Sequence, residues 1–143
     1  MRVHTNGISD RQVTEIFDGE STTITHGDVH VYAGGVAYLK SNHGNNNVVG
    51  FAHDGGVIHV ISAGDIGYAL EGGVVIADGF EGAVAVALPG GIAVSCDSTN
   101  SVALDGGIAY AIEGGMAQAY LGGIICVDET GVALTPNATV FHI

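Results

Sequence analysis

The chain has 143 residues, a formal net charge of −12 and three basic residues, Arg2, Arg11 and Lys40. Recognition of phosphates needs Lys or Arg, so nucleic-acid binding is excluded, and docking on an anionic membrane surface is disfavoured for the same reason. Hydrophobic residues make up 47% and charged ones 13%, which excludes disorder, and no run approaches the ~20 apolar residues of a transmembrane helix.

The N-terminal segment MRVHTNGISDRQ lacks the apolar core of a signal peptide, so a cytoplasmic location is expected. Cys96 and Cys126 fit that expectation as free thiols, since two cysteines make no disulfide framework. Ser9-Asp10-Arg11-Gln12 has the form of a capping box, with Ile8 and Val13 placed as a hydrophobic staple. Val13, Ile16 and Phe17 follow helical spacing, and Gly19 stands where a helix would stop. The spacing predicts one short helix over about residues 10–17. Residues 1–20 then form an N-terminal cap on residues 21–143.

From Ser21 onward the chain is a repeat. Glycine pairs stand at 34/35, 55/56, 72/73, 90/91, 106/107 and 122/123. The last three pairs open at 90, 106 and 122, a spacing of 16 residues. Each interval holds two strand-like units, and insertions such as residues 42–47 fall at only one of its two corners. Within GGIAYAIE, Ile108, Tyr110 and Ile112 alternate with Ala109, Ala111 and Glu113, which is strand periodicity. The large-residue face is expected inside; a coil flat enough to enclose the alanines is the alternative. A fixed repeat that cannot bury its own face must stack. From about residue 21 the chain resembles β-solenoid, or β-helix, repeat proteins. That resemblance implies an all-β fold of about 16-residue, two-strand coils, six or seven in number and stacked into a rod. An antiparallel meander with Gly-Gly turns is the other reading, and a three-strand coil a further one.

No catalytic or cofactor motif stands in the repeats, so no cofactor is expected and the chain reads as non-enzymatic. The G-x-D part of calcium-binding β-rolls is missing, and no P-loop occurs. Ser95 and Cys96 have no histidine nearby in sequence. His26, His30, His53 and His59 could converge on zinc across coils, which makes a zinc enzyme an alternative function.

The charge pattern is more informative. From Ser41 to Ile143 there are ten acids and no Lys or Arg. The acids either keep an apolar chain soluble or form a face for a basic protein partner. On the second reading the chain is an acidic binding rod, with inhibition by filling a nucleic-acid-binding site as the expected mode of action. Its candidate contacts are Asp54, Glu71, Asp97, Asp105, Glu113 and Glu129, with His43, Asn45 and Asn46 of the inserted polar loop. A rod domain of a phage-like or surface assembly is the alternative. The last unit, ATVFHI, carries no protecting charge or proline, so Thr139, Val140, Phe141, His142 and Ile143 are expected to pair tail to tail in a homodimer.

Overall fold

A computed structural model describes residues 1–7, 11–42, 47–135 and 137–143. Its strands are, in order, β1 (Arg2–Thr5), β2 (Gln12–Ile16), β3 (Ser21–Ile24), β4 (Asp28–Val31), β5 (Val36–Leu39), β6 (Val49–Ala52), β7 (Val57–Val60), β8 (Ile66–Ala69) and β9 (Val74–Ala77). They continue with β10 (Val84–Ala87), β11 (Ile92–Ser95), β12 (Asn100–Leu104), β13 (Ile108–Ala111), β14 (Met116–Tyr120), β15 (Ile124–Val127), β16 (Val132–Ala133) and β17 (Thr139–His142). The even-numbered strands, edged by β1, make a nine-stranded sheet; the odd-numbered strands from β3 to β17 make an eight-stranded one. The chain is a β-solenoid with two strands per turn. The pair β2–β3 forms its first turn and β16–β17 its eighth. At about 4.8 Å per turn the stack is roughly 35 Å long.

Stacking is parallel and in register, so equivalent repeat positions form ladders. Ile92 lies beside Val74 and Ile108, and Ile108 beside Ile124. These large residues face outward and are half-buried, because each covers the next along the ladder. The alanines face inward: Ala93, Ala109 and Ala111 are fully buried. The expectation that the large residues fill the core is therefore reversed. In the middle turns Ala and Ser hold the interior positions and the large residues stand outside, whereas earlier turns enclose Leu39 and Ile58.

Interior size varies along the rod and is matched across it. In the early turns Ile16, Val29, Val31, Leu39, Ile58, Val60 and Val75 are fully buried. Opposite Ile58 and Val75 stand glycines. A Cβ on Gly50 would lie 2.8 Å from Ile58 Cδ1, and one on Gly67 2.5 Å from Val75 Cγ1. The middle turns hold Ala85, Ala87, Ala103 and the buried Ser95 and Ser101, whose hydroxyls meet at 3.0 Å. This polar contact stands between two apolar clusters, one reaching Ala93 and the other starting at Ala103.

The predicted N-terminal helix is not formed. Ser9 and Asp10 of the capping box, and Ile8 of the staple, lie outside the described residues. Gln12 to Ile16 form β2, paired antiparallel with β1 and parallel with β4. An isolated helix of eight residues is marginal in water. As a strand, β-branched Val13 and Thr14 gain ladder partners on both sides and Ile16 one in β4, and all three side chains are buried. Gly19 does take a positive φ, 79°, but it turns the corner between β2 and β3.

Candidate functional site

The two edges of this flat rod are built differently. At the tight corner, leading from the nine-stranded to the eight-stranded sheet, the Gly-Gly pairs have divided roles. The first glycine takes φ > 0, as Gly55 does at 79° and Gly106 at 88°. The second lies against the previous turn, where a Cβ on Gly107 would come within 2.4 Å of the Ala87 carbonyl oxygen. Backbone bonds then run along the edge, with Gly34 N–H donating to Gly55 O at 3.1 Å and Gly55 N–H to Gly72 O at 3.0 Å.

The loose corner has such backbone bonds as well, from Asp97 N–H to Glu113 O at 3.1 Å for example, and adds side-chain clamps. Asp65, fully buried, accepts the Ser41 N–H and the Val48 N–H, both at 2.9 Å, and so closes the neck of the inserted loop. Buried Thr99 accepts the Cys96 N–H at 3.0 Å, and its hydroxyl lies 2.5 Å from Ala77 O. Asp128 accepts N–H bonds from Glu113 (3.1 Å), Thr130 (2.9 Å) and Gly131 (2.8 Å). These bonds, the one from Glu113 first, hold its carboxyl below the usual carboxylate range.

The six acids singled out from sequence divide between these edges. Asp54, Glu71 and Asp105 sit at the tight corner, in series with Ala33, Pro89 and Leu121. Asp97, Glu113 and Glu129 sit at the loose corner on three consecutive turns. The register Ser95–Ala111–Val127 places them in one column, about 4.8 Å apart, and all three are exposed. Asp97 and Glu113 have φ of 51° and 49°, so these turns hold them in the left-handed region. His43, Asn45 and Asn46 lie outside the described residues.

The four histidines considered for zinc do not meet at one point. His30 Nδ1 and His53 Nε2 are 2.9 Å apart on the outer face of the nine-stranded sheet, within a stack that includes Phe51 and Tyr32. Burial, then His53, lowers the pKa of His30. His26 contacts Gln12 at 3.1 Å, while His59 stacks on Tyr38 and pairs with Asp78 at 3.1 Å. No group of three or more metal-ligating side chains occurs among the described residues. Burial, followed by Glu113, pushes the Cys96 thiol up to about 11. Ser95 is enclosed and engaged with Met116 O at 2.8 Å.

Thr139 to His142 form β17, parallel to β15. Phe141 and Ile143 are exposed there, as are Val132 and Leu134 of the same turn.

No protein-family model and no curated protein matches the chain. Among solved structures it is similar to a TibC-catalysed hyper-glycosylated fragment of TibA, with a TM-score of 0.52 and 16% identity. The match covers 87% of this chain and 49% of that one, so this chain spans about half the length of that fragment. At this identity the likeness concerns the fold.

Proposed function

We propose that the chain is a non-enzymatic binding rod that docks on a basic protein surface through its loose-corner edge. The observation that carries this reading is the column Asp97, Glu113 and Glu129. Three like charges on successive turns, whose backbones stack about 4.8 Å apart, repel one another, and the sequence has no Lys or Arg beyond Lys40 to relieve them. A partner presenting Lys or Arg at matching spacing would be steered to this edge and would neutralise it. A surface that ordinarily tracks nucleic-acid phosphates meets this description, so the rod would act there as an inhibitor. Calorimetry of the full chain with an oligolysine peptide tests the reading. Affinity should fall about tenfold or more between about 50 and about 300 mM salt. Absent binding, or binding indifferent to salt, contradicts it.

A second reading is a rod module of a larger assembly, joined through the eighth turn in a homodimer. Its motive is the exposed apolar set Val132, Leu134, Phe141 and Ile143. Val140→Lys with Phe141→Asp should abolish any dimer seen by sedimentation of the wild type. A wild type that is monomeric at tens of micromolar removes this reading.

A further inference from the structure

A groove of about 700 Å³ opens at the loose corner, lined by Thr25, Lys40, Ser41, Asn42, Asn47, Ser62, Ala63 and Phe80. Three features set it apart from the rest of this edge. First, none of its described lining residues is acidic, on a chain with fifteen acids. Second, its wall contains Lys40. Arg2 and Arg11 are ion-paired with Glu15 and Asp28, whereas Lys40 has no ion-pair partner among the described residues. Third, Phe80, in the loop between β9 and β10 on the same edge, is 65% exposed and offers an apolar ring to the groove. Behind the lining, buried Asp65 fixes the backbone by accepting the N–H groups of Ser41 and Val48 on its two carboxylate oxygens, and it is not itself a lining residue. Ser62 adds a bond to Ser41 O at 3.3 Å.

We propose that this groove is a binding site for a small organic carboxylate with a flat apolar body. Lys40 supplies the charge for the carboxylate, Phe80 covers the apolar body, and the Asn, Ser and Thr side chains supply hydrogen bonds. The volume is that of ordinary small-ligand sites, which fall at roughly 300–1,000 Å³. The site is separate from the acid column and takes a ligand of opposite charge, so the two proposals stand or fall apart.

Benzoate is the probe. Titrated into the isotope-labelled full chain, it should give saturable amide shifts at Ser41, Ser62, Ala63 and Phe80, with a dissociation constant in the millimolar range or below. Lys40→Gln should weaken binding about fivefold or more without changing the melting temperature, because the side chain is exposed. Phe80→Ala should weaken benzoate but leave acetate unchanged. Absence of saturable shifts overturns the proposal. So does equal binding of benzamide, which carries the ring without the charge, or unchanged affinity in Lys40→Gln.

Discussion

The tight and loose corners carry the same chain through the same reversal once per turn, yet they solve it with different chemistry. At its Gly-Gly turns the tight corner relies on backbone: a left-handed glycine, a second glycine against the preceding carbonyl, and N–H to C=O bonds along the edge. Such a corner tolerates little change in length, and its exposed position carries Asp54, Glu71, Pro89 or Leu121 indifferently. The loose corner uses Asp65, Thr99 and Asp128 as clamps, each with its own bonding pattern. Side-chain clamps can hold loops of unequal length, so insertions, the acid column and the groove all gather on this edge. One edge maintains the stack, and the other is free to vary in what it presents.

The largest effect expected at the tight corner is at its second glycine. Gly107→Val places a Cβ against Ala87 O and should cost more than about 3 kcal/mol, read by chemical denaturation. Gly106→Ala meets nothing within 4 Å but keeps φ at 88°, so about 1 kcal/mol is expected there. If the two cost the same, the division of roles within the pair is wrong.

At the loose corner, Asp65→Ala should cost about 3 kcal/mol, since two N–H groups lose a charged acceptor. The Val48 amide should then exchange with solvent faster than amides of the glycine edge. A loss confined to global stability, with the Val48 amide still protected, would mean that Asp65 does not hold the neck.

The smallest effect is on pH. Asp128 has a depressed carboxyl in the folded chain, so its contribution is present above the ordinary value of 3.8 and is lost as pH falls below it. The melting temperature of wild type should therefore drop more steeply through that range than that of Asp128→Ala. Parallel curves would show that its three N–H bonds do not stabilise the corner.

Much of this difference was legible in the sequence. The 16-residue period, the two strands per turn and the asymmetry of the corners all follow from where the glycine pairs and insertions fall. The column Asp97, Glu113 and Glu129 follows from the same period. The role of the second glycine was not legible, because the atom it avoids, Ala87 O, belongs to the preceding turn. Nor was the inside of the coil: Ala and Ile are both apolar, and only sheet separation decides which is enclosed. Val13, Ile16 and Phe17 suit a helix by spacing, but β1 offers a ladder to residues 12–15 and β4 one to residues 13–16, which no local pattern reveals. The groove joins Lys40 to Phe80 across two turns, a distance over which sequence carries no signal.

The functional claim rests on the acids of one edge and not the other, and equal charge changes on the two edges separate them. The triple variant Asp97→Asn, Glu113→Gln, Glu129→Gln and the triple variant Asp54→Asn, Glu71→Gln, Asp105→Asn alter net charge by the same amount. Affinity for oligolysine, measured side by side at low salt, should fall about fivefold or more in the first and less than about twofold in the second. Equal losses in both would mean that the chain attracts cations by net charge alone and that the loose-corner column is not a docking site.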